Sequence, residues 1–349
     1  MLSTISNKKE RDSNIELLRI VATLFILIVH CNGWFLTMGG CGSWRSTGLV
    51  VGTVRAFIQS ITCIGVDVFI LISGFYSIRT KLSSLVNLFT LLLFFYLGCY
   101  IWNCAIDREI LSLSGGLNCL LAFSHENWFI NCYLFLILLA PLLNAFVATT
   151  DNKALTCYIC VFVICAFYFG CVVDSKYFYF NQGYSVTTMI LLYLIGRWTN
   201  VCLIDRIEKI KYLYILLAYI GTVMIILFVR FLSNNEDLVL SYCSPFLIVS
   251  SLCFFCLFYK MKFKSKIVNW IASSCLASFI FHTNDPVFSW FVAKDQQLFA
   301  QAPFIIYLIK MSGVIICIFI ISILLDKIRL LIFNPIISKC CNIDRQKKY

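Results

Sequence analysis

Charged side chains are scarce in this chain: Asp, Glu, Lys and Arg make up 13% of its 349 residues, against 61% hydrophobic. Soluble domains carry about a quarter charged residues, so an ordinary water-facing surface is excluded. Proline is rare, and no Pro/Gly/Ser-rich linker or low-complexity tract interrupts the sequence. One membrane domain over residues 1–349 follows, with short tails at 1–14 and 327–349. No internal repeat is visible, which disfavours inverted-repeat transporters. Lys8, Lys9 and Arg11 precede the first apolar run, but a small-x-small cleavage site is missing, so that run reads as a start-transfer helix that stays. Metal-ligand clusters are lacking too. The nineteen cysteines fall mostly in apolar runs, and Cys157-x-x-Cys160 has neither a second pair nor histidines nearby, so no metal is expected. Cys41 can pair with Cys119 or Cys171, a choice the sequence leaves open.

What the chain does have is length in its apolar runs. Ten are long enough to cross a bilayer: 15–37, 56–76, 83–104, 127–148, 154–173, 184–200, 212–232, 241–259, 267–293 and 303–325. With the N-terminus inside, Lys and Arg number 21 on the inner side and 6 on the outer. The expected fold is therefore an all-α polytopic membrane bundle of about ten transmembrane helices, both termini cytoplasmic. The net charge of +11 is explained by topology, and nucleic acid is not an expected partner.

Polar groups inside such runs are costly and are normally functional. In Ser13 to Asn32, Arg19 and His30 are three helical turns plus about 20° apart, so they share a face roughly 16 Å in length. Thr23 lies on that face and Glu16 one turn before Arg19, whereas Leu18, Val21, Phe25 and Val29 form an apolar opposite side. The polar stripe must face protein or water. Asp67 falls near the midplane, costly unless paired or protonated, and is a candidate to orient a histidine or a backbone group. Ser73-Gly74 reads as close helix packing. His282 and His30 lie about 22 Å and 21 Å from the inner ends of their helices, which predicts one shared polar chamber in the outer half. Asp285 either holds His282 or caps a helix before Pro286. Arg197 either snorkels at the inner face or meets a phosphate, and Lys260, Lys262, Lys264 and Lys266 are inside anchors that also attract polyphosphate. Asn131 and Tyr133 at the outer mouth, and His125 in the preceding loop, are lesser candidates.

The Arg19/His30 spacing resembles the signature of the first helix of acyltransferase family 3 integral-membrane proteins. Similar stretches follow at GVDVFILISGFY (65–76), at WFINCYLFLILLAPLLN (128–144), at YLIGRWTN closing the sixth helix, and at ASSCLASFIFH (272–282). Two departures stand out: Phe279 replaces the usual tyrosine, and the loop after helix two offers only Arg79 and Lys81 where members carry paired arginines.

The resemblance implies a multi-pass plasma (inner) membrane O-acyltransferase moving an acyl group, usually acetyl, from cytoplasmic acetyl-CoA or another acyl-CoA to a carbohydrate or glycolipid hydroxyl, with the lipid bilayer as its setting. In that chemistry His30 is the general base or a transiently acylated nucleophile. Arg19 binds donor phosphate or thioester oxygen, and His282 orients the acceptor or stabilises charge. The rival is a secondary transporter or glycan flippase in which His30, Asp67 and His282 relay protons.

Overall fold

The computed structural model describes residues 12–40, 42–120, 127–173 and 179–346, and within them every regular element is a helix. Lys8, Lys9, Arg11, Cys41 and His125 lie outside the described residues. Among those described, nine helices are long and apolar enough to cross a membrane.

Helix α1 (Ser13–Val29) runs on through a π-helical stretch, His30–Phe35. The second span is made of two pieces, α2 (Leu49–Thr62) and α3 (Gly65–Phe75). It starts two turns earlier than position 56, where the apolar run begins. Gly48 turns the chain at a φ of 81°, and Gly52 lies so close to Trp44 that a side chain there would collide with its carbonyl. Arg55 is thereby drawn into a helix instead of a loop. Then come α4 (Leu82–Ile106), α5 (Trp128–Thr149), α6 (Asn152–Phe167), α7 (Val186–Trp198), α8 (Tyr212–Leu232) and α9 (Pro245–Lys260). Side-chain caps mark several starts. Asn127 accepts from the Ile130 N–H, Asp151 from Lys153 and Ala154, and Ser185 from Thr188. Pro141 cannot donate to Ile137 inside α5, and Thr80 fills the vacancy by donating to that carbonyl at 2.8 Å.

The expected ninth span, 267–293, is not one helix. It is divided into α10 (Lys266–Ala272), α11 (Cys275–His282) and α12 (Val287–Gln301). Ser273 and Ser274 form a tight turn, with Ser274 N–H bonding back to Ile271, and the Thr283–Pro286 corner ends α11. Serine at the first break and proline at the second interrupt a run whose average hydropathy is still that of a span. The pair α10–α11 nevertheless covers about 25 Å of rise and lies parallel to α1. Ser13 Oγ donates to the Ser265 carbonyl at one end and His30 meets His282 at the other, both at an offset of 252 residues.

Finally α13 (Phe304–Gln346) returns beside α11 and α4 and carries residues 327–346 as a continuing helix. Lys327 Nζ donates to the Trp270 carbonyl and to Ser273 Oγ, so both ends of the described chain lie at one end of the bundle. Two apolar clusters fill it, one around α1, α4, α5, α7 and α11, the other around α3, α8 and α9. The tightest seam joins α3 to α7. A side chain at Gly74 would strike the Tyr193 carbonyl, and one at Gly196 the Leu71 carbonyl, so the backbones touch where Ser73-Gly74 predicted close packing.

Candidate active site

The parallel, in-register packing of α11 on α1 places the two imidazoles in direct contact. His30 Nδ1 lies 2.9 Å from His282 Nε2. The other nitrogen of His282, Nδ1, is 2.7 Å from the Ser278 carbonyl, which can only accept. With both rings neutral, these contacts fix the tautomers. His282 Nδ1–H donates to Ser278, His282 Nε2 accepts from His30 Nδ1–H, and His30 Nε2 is left with a free lone pair. His282 is fully buried and His30 half-buried, so the free nitrogen belongs to the more accessible ring.

Aromatic rings wall the pair. Trp34 stands edge-on to His30 at 5.4 Å, Phe35 lies 5.8 Å from it, and Phe279 and Phe291 flank His282 at 5.8 and 6.3 Å. His30 opens the π-helical stretch; such widened turns recur at functional sites because they re-aim side chains within a helix. On α1 that stretch is held by Arg55, which donates to the Asn32 carbonyl at 3.0 Å while Asn32 Nδ2 donates back to the Arg55 carbonyl at 2.8 Å. A cavity of about 330 Å³ adjoins the same stretch, bordered by Cys31, Asn32, Ile58, Thr62, Tyr307 and Met311.

The other expected site residues sit apart from the histidines. Arg19 donates to Glu16 Oε1 at 2.8 Å and keeps 31% of its side chain accessible. Between Arg19 and His30 the stripe is packed, with Thr23 donating to the Arg19 carbonyl and Ile26 and Leu27 buried. Beyond Arg19, at the end of α3, Tyr76 donates to Asp12 Oδ2 at 3.0 Å. Burial, and after it the Asp12 charge, push the Tyr76 phenol up, which keeps it a donor. Tyr76 and Asp12 border a cavity of about 430 Å³ together with Glu208, Tyr259, Lys262 and Lys264. Lys260 does not line it, because its ammonium caps the short helix Ile204–Lys209 through the carbonyls of Ile207, Glu208 and Ile210. Arg197 is half-buried in the last turn of α7, one turn beyond Tyr193.

Asp67, fully buried in the first turn of α3, accepts from Ser251 Oγ at 3.3 Å and makes no hydrogen bond to either histidine. Asp285 accepts from Ser289 N–H and Oγ, so of its two readings the helix-start one holds, and the carbonyl of Ser278 takes the place beside His282. Tyr133 reaches Ser73 Oγ at 3.5 Å, and Asn131 is exposed.

A family model described as an acyltransferase domain matches residues 12–323, nearly the whole chain. This protein belongs to acyltransferase family 3. No curated protein and no solved structure gave a match. In this acyltransferase several buried ionic groups escaped the reading of the sequence. Arg55, buried at 1% exposure, falls just before the apolar run that begins at position 56. Arg230, fully buried, donates to the Ala56 carbonyl, Gln59 and Glu236, and Arg329 pairs with Asp326 while reaching Asn87 and Thr90 on α4. All three lie at or beyond the edges of apolar runs, where a cation ordinarily signals water. Only the packing of distant helices makes them interior.

Proposed function

We propose that this acyltransferase moves an acyl group, acetyl by preference, from a cytoplasmic acyl-CoA to a hydroxyl of a cell-surface or exported carbohydrate across the plasma membrane. The observation that carries the reading is the His30–His282 contact, which leaves His30 Nε2 as an accessible base. A sugar hydroxyl is a weak nucleophile at neutral pH. As its oxygen attacks the thioester carbonyl, its proton passes to His30 Nε2, the carbon–sulfur bond breaks, and the proton is returned to the leaving thiolate. The imidazolium formed meanwhile strengthens its Nδ1–H bond to His282, which makes His282 the group that holds the ring and spreads the charge. Arg19 and Arg197 at the inner end, with Lys262 and Lys264 at the inner cavity, supply the positive field for a polyphosphorylated donor. Glu16 offsets part of the Arg19 charge, so Arg19 serves better in aiming a donor oxygen than in bulk attraction.

The reading is tested by mass analysis of surface polysaccharide from cells with and without the protein. Acetyl-sized additions should disappear in its absence, and an unchanged glycan overturns carbohydrate acylation. The cytoplasmic placement of the inner end, supported by the 21-to-6 split of lysine and arginine, has its own test. A Lys262→Cys variant in intact cells should resist membrane-impermeant maleimide and react only after permeabilisation. Labelling from outside would invert the topology.

A further inference from the structure

We propose that Cys171 and Cys243 are joined by a disulfide that fastens the outer wall of the bundle. The two sulfurs lie 3.5 Å apart although 72 residues separate them in sequence. Cys171 sits in the π-helical end of α6, Tyr168–Val172, and Cys243 in the turn leading into α9. Both are buried, at 4% and 0% exposure. The approach is built into the backbone, because a Cβ at Gly170 would lie 2.7 Å from the Cys243 sulfur and the glycine makes room for it. Closing the gap to a bond of about 2.0 Å requires the sulfurs to move by about 1.5 Å, within reach of side-chain rotation.

The pair lies at the end of α6 opposite its Asp151 cap, the outer end on the orientation proposed above, on which this inference rests. That compartment favours disulfides, unlike the cytoplasm. The chemistry needs an oxidant, and a disulfide-bearing thiol oxidant of the outer compartment supplies it. One chain thiolate attacks the oxidant's disulfide and expels one of its thiolates, giving a mixed disulfide. The second chain thiolate then attacks the first chain sulfur and releases the oxidant's other thiolate. Two electrons and two protons pass to the oxidant, which leaves as a dithiol. Because both thiols are buried in the folded protein, the exchange takes place as the 241–244 turn docks.

The bond has a structural consequence beside the site. Tyr242, next to Cys243, stacks on Trp128 at 5.8 Å and meets Tyr184 at 5.1 Å, and Asn127 next to Trp128 reaches Thr283, the neighbour of His282. Fastening Cys243 to α6 therefore anchors the aromatic wall on the acceptor side.

The test uses wild-type protein in its own membrane. Intact cells are quenched with acid and alkylated with N-ethylmaleimide under denaturing conditions before any exposure to air, and the purified protein is digested without reductant. Mass spectrometry should then find Cys171 and Cys243 peptides linked, both free of maleimide, and released by reductant. In a Cys171→Ser variant, Cys243 should take up the label. Maleimide on both residues of the wild type overturns the proposal. So does a bridge from either one to another cysteine, or a link that forms only when alkylation follows lysis. The Lys262→Cys variant, labelled in the same host cells in parallel, then says whether the compartment or the geometry failed.

Discussion

A His30→Ala enzyme is expected to lose acyl transfer by about 10²- to 10⁴-fold, the usual worth of a positioned general base, while folding and reaching the membrane normally. His30 is half-buried at the end of α1, and its ring is held by one hydrogen bond, an edge contact with Trp34 and a tilted contact with Phe35, so its removal leaves no buried charge behind. Two companions sharpen the test. His282→Gln retains an acceptor for the His30 Nδ1–H and should keep more activity than His282→Ala, which leaves that donor unmatched. Both should leave export of the glycan intact. If His30→Ala instead stops export, the chain is a transporter and His30 belongs to a proton relay. The structure bears on that rival as well, since two spans are broken, at Cys63–Ile64 and at Ser273–Ser274. Broken helices in transporters expose unwound backbone to ions. Here each break is a two-residue turn that keeps backbone N–H groups bonded within the chain, Cys63 to Gln59 at the first and Ser273 to Asn269 and Ser274 to Ile271 at the second. Asp67, one turn past the first break, is engaged with Ser251 and not with a histidine, so the three-member relay His30–Asp67–His282 has no direct hydrogen-bonded path.

Gly74→Leu should cost about 3 kcal/mol of stability or more, the upper end of overpacking, and should shift the thermal unfolding of detergent-purified protein sharply downward. The cause is a backbone contact. The place a Cβ would occupy at Gly74 is already filled by the Tyr193 carbonyl, and at Gly196 by the Leu71 carbonyl, neither of which can swing aside as a side chain can. Separating α3 from α7 would also pull Tyr193 from Asn144 and from the Ile78 N–H, loosening the link to α5. Gly221→Ala is the control. Nothing lies within 4 Å of its Cβ position, so its melting temperature should be unchanged or slightly higher. An unperturbed Gly74→Leu melt would show that the α3–α7 seam yields more readily than its backbone contacts indicate.

The sequence by itself determined the class and the number of apolar runs, because a run of about 20 apolar residues has only one low-energy fate, a helix in lipid. It also determined that Arg19 and His30 share a face of α1 and that His30 and His282 lie at one depth, since helical rise and rotation are fixed by the backbone. The histidine contact was legible for that reason. Tertiary structure decided what periodicity cannot encode. Whether α11 lies beside α1 in register is a packing outcome, and so is the assignment of the Ser278 carbonyl, not Asp285, to His282. The split of residues 267–293 depended on a two-serine turn too short to lower the average hydropathy of the run. Arg55, Arg230 and Arg329 read as edge cations because burial is a property of neighbours: Asn32, Ala56 and Asn87, their acceptors, stand 23, 174 and 242 residues away along the chain. Cys171 found Cys243 by the same route, through helix ends that meet only once the bundle has closed.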